Sequence, residues 1–377
     1  TTLVRQLGDH LKQNNQQVSY LTLEDPEILS ILNEHPENLF RYVPLSDAQV
    51  GKNHVILDEI QYLADPSNFL KFLYDQYSHS LKVITTGSSA FYMDQQFKDS
   101  LAGRKRIFEL NPLSFEEFLE FKELDNLKQE LAMIRENKQY ISGKYRLLQQ
   151  QFEEYLTFGG YPAIVTTPEK NEKIDKLQEL RDAFVKKDML EFGVNDELTL
   201  FNLCKILAYQ TGNLFNRHEA AKQLRKDDHT IDRYVLLLQK AFHIRLIHPY
   251  HRNLPKELRK MPKVYFNDTG LRNAFIKNFQ PLTERTDKGA LLENYTFERL
   301  RELYDADALR FWRTTNEKEL DFLVLENDNT GLAYEVKWDD QKYKPEKYQQ
   351  FSENYPGFSL HNLSYHFKNP EHWIVKL

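Results

Sequence analysis

Two groups of charged residues in the sequence have the types and spacing that suit metal-assisted chemistry. The first is Asp58-Glu59, which directly follows the apolar run Val55-Ile56-Leu57. The second is Asp321 followed by Glu335-Val336-Lys337, with Glu293 further upstream. Carboxylate oxygens are the ligands that Mg²⁺ prefers, and a lysine can stabilise an attacking hydroxide. Both groups are therefore candidate sites for a reaction assisted by a divalent ion.

The residues around Asp58 and Glu59 favour one edge of a parallel sheet. Val55, Ile56 and Leu57 show no alternation, which is typical of a strand buried on both faces. Open α/β sheets bind ligands at the carboxyl ends of their strands, where the two acids would lie. An apolar strand ending in Asp-Glu is the Walker B pattern, in which the Asp helps to hold Mg²⁺ and the Glu polarises the attacking water. The same run also suits a buried strand that ends in a solvated acidic turn.

Period-two alternation places the second group on neighbouring strands. Residues 319–325 and 332–337 each have a strand pattern, and Glu335 and Lys337 share one face of the later strand. The segment 291–303 has a helical pattern and carries the upstream glutamate. The alternative is a strand pair whose exposed charges form salt bridges. The four side chains that we expect to converge in one pocket are Glu293, Asp321, Glu335 and Lys337.

The composition is that of a soluble globular chain with two or three domains. The chain has 377 residues, of which 41% are hydrophobic and 28% charged. A net charge of −6 excludes a protein that coats nucleic acid with its whole surface, while a local basic face stays open. One cysteine, Cys204, excludes a disulfide framework and a cysteine-rich zinc site. Because no apolar run is long enough to span a bilayer and no signal peptide opens the chain, we expect a cytoplasmic protein without membrane contacts.

The first third of the chain alternates helices and strands. A helix is expected from the first residues and another at 66–77, with strands at 18–23 and 81–86 and a short strand at 107–110. This order predicts a doubly wound parallel sheet. In P-loop ATPases, which carry the Walker B pattern, the phosphate-binding loop G-x-x-x-x-G-K-[ST] precedes the first helix, so its last residue would be Thr1. We therefore expect the chain to begin inside that motif.

The middle of the chain is mostly helical. Residues 112–156 have helical patterns, and Gly159-Gly160-Tyr161-Pro162 must interrupt them, so we expect a hinge there. Residues 197–266 have the order helix, turn, helix and basic hairpin, which is typical of a winged helix that binds DNA. The basic loop contains His251, Arg252, Lys256, Arg259 and Lys260. A winged helix that serves only in packing stays an alternative, because phosphates would be repelled by the acids at the recognition-helix position, Asp227, Asp228 and Asp232.

Motifs along nearly the whole chain together resemble those of one family. They are Thr1-Thr2-Leu3, Leu21-Thr22-Leu23-Glu24-Asp25-Pro26, Leu57-Asp58-Glu59-Ile60-Gln61, Thr86-Gly87-Ser88-Ser89, Leu101-Ala102-Gly103-Arg104, Leu113-Ser114-Phe115-Glu116-Glu117-Phe118, Gly159-Gly160-Tyr161-Pro162, Glu319-Leu320-Asp321-Phe322 and Glu335-Val336-Lys337. In their order and spacing the chain resembles the AAA-type ATPases of bacteria and archaea that carry a C-terminal domain of unknown function with a nuclease-like core. It departs from that pattern in the missing phosphate loop.

For the N-terminal part, the resemblance implies ATP and Mg²⁺ as cofactors. Thr1 would ligate Mg²⁺ through its hydroxyl and, together with Thr2, bind the nucleotide. Asp58 would contact ligands of the Mg²⁺ ion rather than the ion itself, and Glu59 would be the general base. Without the phosphate loop, this chain would bind ATP poorly, and a version extended upstream would bind and hydrolyse MgATP.

The resemblance implies roles for two further N-terminal residues and for the C-terminal group. Ser88 would sense the γ-phosphate, with a plain turn former as the alternative. Arg104 would reach a phosphate, with a surface ion pair as the alternative. The order of the last elements is similar to the core of restriction-type nucleases. There the Mg²⁺ ligands would be Glu293, Asp321 and Glu335, and Lys337 would orient the attacking hydroxide.

The fold that we predict is α/β and has four parts. They are an AAA-type ATPase core at 1–125, a helical connector at 126–195, a winged helix at 196–270 and a restriction-endonuclease-like domain at 271–377. The predicted function is an ATP-hydrolysing switch whose C-terminal parts engage DNA. The alternatives are a non-enzymatic DNA- or protein-binding module with an inert ATPase half and a metal-dependent nuclease gated by the ATPase half. ATP is the expected partner, while DNA and a second copy of the chain stay open.

Overall fold

Three parallel strands form the sheet of the N-terminal part. In sheet order they are β1 (Val18–Thr22), β2 (Asn53–Asp58) and β3 (Leu81–Thr85). The strand that ends in Asp58 is therefore central. Its residues Val55, Ile56 and Leu57 are fully buried, because neighbouring strands and the helices on the sheet cover both faces. The parallel sheet predicted for this part is confirmed.

Aspartate caps and prolines begin two of the helices around this sheet. Asp25 accepts hydrogen bonds from the N–H groups of Glu27 and Ile28, and Pro26 is the first residue of the helix that follows. Asp65 caps the next helix in the same way through the N–H of Asn68. The helices of this part are α1 (Thr2–Gln13), α2 (Pro26–Glu34) and α3 (Pro66–Tyr77).

The computed structural model describes residues 1–44, 51–87, 101, 103–192, 194, 196–250, 260–314, 316 and 318–377, without the side chains of 187–192. These residues form two units, Thr1–Glu109 with Lys240–Phe242 and Leu110–Gln239 with His243–Leu377. The candidate phosphate sensor Ser88 and the basic residues His251, Arg252, Lys256 and Arg259 lie outside the described residues. The described helices include none that is both long and apolar enough to cross a membrane.

The short strand expected at 107–110 is not formed. These residues have no regular structure, and Ile107, Phe108 and Leu110 expose 60, 71 and 71% of their surface. An apolar segment becomes a strand only where a neighbouring strand offers backbone hydrogen bonds, and none of the described strands pairs with this one. The prediction from the apolar pattern was therefore wrong at this segment.

Helices make up the first half of the second unit. The helical patterns between residues 112 and 156 give three helices with turns between them. Two helices follow, and after them come three helices and a two-stranded antiparallel sheet in the order expected of the 197–266 segment. The elements are α4 (Phe115–Phe121), α5 (Asp125–Glu136), α6 (Tyr145–Phe158), α7 (Pro162–Val165), α8 (Lys170–Phe192), α9 (Glu197–Tyr209), α10 (Arg217–Leu224), α11 (Asp228–Lys240), β4 (Ile244–Ile247) and β5 (Lys263–Phe266).

A four-stranded mixed sheet carries the second group of charged residues. Strands β6 to β9 lie in sequence order, with antiparallel pairs β6/β7 and β7/β8 and a parallel pair β8/β9. The parallel pair needs a crossover, which contains a short helix. The elements are α12 (Thr269–Ile276), α13 (Lys288–Leu303), β6 (Leu309–Arg313), β7 (Glu319–Asn327), β8 (Thr330–Asp339), α14 (Gln349–Asn354) and β9 (Phe358–His366).

The Gly159-Gly160 turn packs tightly against the start of α12. Gly159 ends α6 with φ +76°, and a Cβ there would lie 2.2 Å from Asp268 Oδ1. Gly160 donates its N–H to Asp268 Oδ2 at 2.7 Å, and its carbonyl accepts the N–H of Leu113 at 2.8 Å. Asp268 also caps α12 through the N–H of Leu271 at 2.7 Å. The expected hinge thus lies inside the second unit, where backbone hydrogen bonds fix it.

We expect Gly160→Ala to destabilise the second unit. A Cβ at this position would lie 2.2 Å from the Leu113 carbonyl oxygen. This backbone atom cannot move away without disturbing the hydrogen bond from the Leu113 N–H to the Gly160 carbonyl. The cost should be about 1–3 kcal/mol. Gly143→Ala is the matched control, because a Cβ there meets nothing within 4 Å. Thermal unfolding that gives the two variants equal midpoints would contradict this account of the turn.

The buried carboxyl of Asp268 should make stability fall with rising pH. Burial raises its pKa from 3.8 to about 6, although the N–H groups of Gly160, Leu271 and Gly270 lower it. Between these two values the folded state holds a proton that the unfolded state has lost, so the free energy of unfolding decreases as the pH rises, by roughly 3 kcal/mol in total. Thermal unfolding of the wild type and Asp268→Asn at pH 5 and pH 7 checks this. The wild type should lose more stability than the variant over this interval, and parallel losses would contradict the assignment.

Candidate functional site

Asp58 is buried at the carboxyl end of the central strand of the parallel sheet. It exposes 2% of its surface. The hydroxyls of Tyr20 and Thr86 donate hydrogen bonds to its two carboxylate oxygens, one to each. The backbone nitrogen of Thr1 lies 3.8 Å from Asp58 Oδ1. The residue before α1, the middle of β1 and the residue after β3 therefore meet at this carboxylate.

The hydroxyl groups keep Asp58 ionised. Burial alone would raise its pKa, but the bonds from Thr86 and Tyr20 favour the charged form and hold the pKa below its ordinary value. Burial, together with the bond to Asp58, raises the pKa of Tyr20, so the phenol stays a donor. The guanidinium carbon of Arg5 lies 5.1 Å from the centre of the Tyr20 ring and adds positive charge nearby. A buried carboxylate with this charge can attract a hydrated cation.

Glu59 has a backbone conformation that is rare for its residue type. Its φ of 61° and ψ of 54° are left-handed, a region that costs a residue with a Cβ about 1–3 kcal/mol. Thr86 holds this conformation from both sides: its Oγ1 accepts the Glu59 N–H at 3.1 Å, and its carbonyl accepts the Ile60 N–H at 2.9 Å. The side-chain amide of Gln61 donates to the Glu59 carboxylate. Thr86 thus sets the backbone of Glu59, and Gln61 contacts its carboxylate.

Of the other residues predicted for this site, two lie at the start of α1 and one forms an ion pair with α3. Thr1 precedes α1 and Thr2 is its first, exposed residue. Arg104 pairs with Asp75 of α3, with 2.8 Å between its Nε and Oδ1. This is the surface ion pair that the sequence left as the alternative, while the phosphate role of Arg104 stays a prediction.

Sequence reasoning missed Tyr20 and Thr86 as the partners of Asp58. The signal was present, because in-register parallel strands place residues of equal height side by side. Thr22 pairs with Asp58 and Tyr20 with Ile56, so Tyr20 lies diagonally below the carboxylate on the same face. Thr86 follows directly after β3, whose last residue pairs with Leu57.

The C-terminal sheet brings the predicted charged residues together. The pairing of Phe322 with Tyr334, continued by one residue, sets Asp321 opposite Glu335. Asp321 Oδ2 accepts the N–H of Val336 at 2.8 Å. Lys337 pairs with Glu335 on the same face of β8.

A lysine that the sequence analysis did not consider lies in the middle of this group. The Nζ of Lys263, on β5, is 2.7 Å from Glu293 Oε1, 2.6 Å from Glu319 Oε1 and 3.5 Å from Asp321 Oδ1. Its side chain is 2% exposed. The hydroxyl of Tyr265 donates to Glu293 Oε1 at 2.5 Å. We call Lys263 together with Glu293, Glu319, Asp321 and Glu335 the carboxylate cluster.

Burial and mutual repulsion set the charge of the carboxylate cluster. Burial raises the pKa of both Glu293 and Glu335, and the nearby Asp321 raises it further. Burial would lower the pKa of Lys263, but the carboxylates around it outweigh burial and raise that pKa. The carboxylates around Lys263 therefore favour its charged form.

The carboxylate cluster does not fit a divalent ion in this conformation. Lys263 and Lys337 contact the oxygens that were expected to bind Mg²⁺. Across the part of the chain that the structure describes, no three His, Cys, Asp or Glu side chains are grouped so that they could hold a metal ion. The metal-ligand roles of Glu293, Asp321 and Glu335 stay a prediction.

The acids on the helices before β4 are engaged within the protein. Arg217 lies 3.7 Å from Asp228 and 2.8 Å from Asp232, and Asp227 accepts the N–H of Thr230 at 2.8 Å. The ion pairs reduce the repulsion of phosphates that the sequence analysis expected from these acids. Of the basic loop, only Lys260 lies within the described residues, and it is exposed.

Three protein-family models match separate stretches of the chain. Residues 1–119 match the AAA domain, residues 149–282 match a domain of unknown function (DUF8612), and residues 288–368 match another domain of unknown function (DUF4143).

Curated proteins similar to this chain carry no assigned function. A Haemophilus influenzae protein is 26% identical over 89% of this chain and 80% of its own length. A Mycobacterium tuberculosis protein is 26% identical over 75% of this chain and 58% of its own length, and a Methanocaldococcus jannaschii protein is 26% identical over 81% and 65%. The chain thus spans less than two thirds of the mycobacterial and archaeal relatives. All three are described as uncharacterized.

One solved structure has a low similarity to this chain, both in fold and in sequence. It is the Aeropyrum pernix ORC1 protein in complex with DNA, with a TM-score of 0.30 and 13% identity over 73% of this chain and 81% of that chain. A likeness at this TM-score supports no conclusion about function. The match over residues 1–119, together with the parallel sheet that ends in Asp58-Glu59, supports a P-loop ATPase of the AAA type for the N-terminal part.

Proposed function

We propose that this protein is an ATP-hydrolysing switch whose C-terminal part engages DNA. The observation that carries the ATPase proposal is the pairing of a buried, ionised Asp58 with a left-handed Glu59, both bonded to Thr86. Strain at a backbone position is kept where the surrounding structure requires it, and functional sites are where it concentrates. The Glu59 carboxylate follows directly after the buried acid, as a water-activating base must.

Each residue of this site has a separable task. Bound Mg²⁺ would supply the positive charge that neutralises the phosphates. Asp58 attracts that cation, and Tyr20 and Thr86 keep the carboxylate ionised and fixed in direction. Glu59 accepts the proton of the attacking water, while Gln61 and Thr86 orient the glutamate. Thr86 bonds to the Asp58 carboxylate and to the Glu59 backbone, so it links both residues to the end of β3.

The DNA part of the proposal is supported by the order of elements from α9 to β5. Three helices followed by an antiparallel strand pair suit a winged helix, and the connection between β4 and β5 contains the basic residues. The alternative of a binding module with an inert ATPase half predicts DNA binding without ATP turnover. The alternative of a metal-dependent nuclease requires a divalent ion at the carboxylate cluster, whose oxygens contact Lys263 and Lys337.

We expect Glu59→Gln to abolish ATP hydrolysis without loss of ATP binding. The amide cannot accept a proton from water, whereas the nucleotide contacts do not depend on this side chain. Turnover and nucleotide binding are measured in a chain extended ahead of Thr1 by a strand and phosphate loop. The expected loss of turnover is on the order of 10²-fold or more.

The matched control for this experiment is Glu27→Gln, which removes an exposed carboxylate from the first turn of α2. Its turnover should equal that of the extended wild type. Equal turnover in Glu59→Gln and the wild type would remove Glu59 as the base. An extended wild type that binds ATP but does not hydrolyse it would favour the inert ATPase half.

Charge removal in the basic loop should weaken DNA binding and its dependence on salt. In the variant that carries Gln at residues 252, 256, 259 and 260, fewer counterions leave the DNA on binding, so the plot of log affinity against log salt concentration becomes flatter by roughly 0.9 for each phosphate that the protein no longer neutralises. Fluorescence anisotropy with a duplex over a series of salt concentrations measures this slope. The control carries Gln at four exposed lysines elsewhere in the chain, Lys52, Lys82, Lys138 and Lys170. Equal slopes in both variants would favour a winged helix that only packs.

A further inference from the structure

The carboxylate cluster surrounds an ammonium group that comes from another segment of the chain. Lys263 begins β5, whereas Glu293 is on α13 and Glu319 and Asp321 are on β7. The lysine side chain is 2% exposed, so water cannot solvate its charge. A lysine buried to this extent stays charged only when anions surround it.

The contacts of Lys263 use its full bonding capacity. An ammonium has three N–H donors, and three carboxylate oxygens lie within 3.5 Å of Nζ. The face of the Phe311 ring, 5.5 Å from Nζ, provides a further favourable contact for the cation.

The backbone around Lys263 holds the ammonium in place. The residues on either side of Lys263 accept hydrogen bonds from the 212–215 turn. The N–H of Gly212 donates to the Val264 carbonyl at 2.9 Å, and the N–H of Phe215 donates to the Pro262 carbonyl at 2.7 Å. Gly212 itself has φ +77°, and a Cβ there would lie 3.0 Å from Glu293 Oε2. The lysine and the turn at 212 therefore both contact the same glutamate.

The charges of the cluster are nearly balanced by the protein itself. Four carboxylates, Glu293, Glu319, Asp321 and Glu335, are present. Three cations contact them: Lys263, Lys337, and Arg313, which lies 2.7 Å from Glu319 Oε2. A divalent ion bound to Glu293 and Asp321 would have to share their oxygens with the ammonium, at a distance where two cations repel strongly.

We propose that Lys263 is the resident cation of the carboxylate cluster and that the cluster binds no divalent metal ion while this lysine is in place. The cluster then serves as an internal tether, which joins β5 to α13 and β7. Its acids are neutralised by the chain in the position where the sequence pattern suggests a metal centre. This proposal concerns the C-terminal cluster alone and does not depend on ATP hydrolysis at Asp58.

Binding of Mn²⁺ to the full chain without nucleotide tests this proposal. Free Mn²⁺ is measured by electron paramagnetic resonance in a titration of the wild type, Asp321→Asn and Lys263→Met. The wild type and Asp321→Asn should bind equal amounts of Mn²⁺, because the cluster contributes no site. Lys263→Met should gain about one bound Mn²⁺ per chain, since the removed charge leaves a set of carboxylates that suits a divalent ion. The double variant Lys263→Met/Asp321→Asn should lose that gain.

Lys173→Met is the matched control for the loss of a buried lysine. Lys173 is 3% exposed and pairs with Glu154 at 3.0 Å, so its removal also takes a buried ammonium from a carboxylate, but away from the cluster. It should gain no Mn²⁺. A wild type that binds an Mn²⁺ ion lost in Asp321→Asn would overturn the proposal, and this comparison holds even if Lys263→Met does not fold. A folded Lys263→Met that binds no more Mn²⁺ than the wild type would overturn it as well.

Discussion

Inside this protein every buried charge must meet groups that replace the water it has lost, and this constraint fixes the arrangement of much of the second unit. Asp287 shows it in a simple form, since its carboxylate contacts the guanidinium groups of Arg272 and Arg285, both almost fully buried. Burial alone would raise the pKa of Asp287, but the two arginines hold it well below its ordinary value. Loss of one partner would leave the others buried without compensation, which costs more than the ion pair contributes. Such groups tolerate few rearrangements, and they align the helices that carry them.

The two regions of unknown function share one hydrophobic core. Tyr265, in the first region, stacks on Phe297, in the second, with 5.1 Å between ring centres. Phe152 and Tyr295 make an edge-to-face contact across the two regions, with 4.6 Å between ring centres. Aromatic pairs of this kind add about 0.5–1.5 kcal/mol beyond the burial of their area. The boundary between the two family matches therefore does not separate two independent cores, and a fragment cut there would expose apolar surface on both sides.

The sequence was informative where one segment determines its own environment. The unbroken apolar run before Asp58 predicted a central strand, and alternation along β8 placed Glu335 and Lys337 on one face. It failed where the partner is distant in the chain. The segment 107–110 has the pattern of a strand but finds no neighbour, and Lys263 resembles an ordinary polar residue at the start of a strand until α13 and β7 surround it. Local pattern gives the face on which a side chain lies, whereas only the tertiary fold determines what it contacts.

At Glu59, backbone stability and the proposed catalytic role favour different residues. Glycine or asparagine would adopt this conformation with less strain, so a selection for heat resistance alone should replace the glutamate. Under the proposed function, the hardier protein obtained in that way would have lost the group that activates water. Directed evolution of this chain would therefore meet a trade-off between thermal stability and turnover at a single residue. The residue retained there would show which of the two properties was selected.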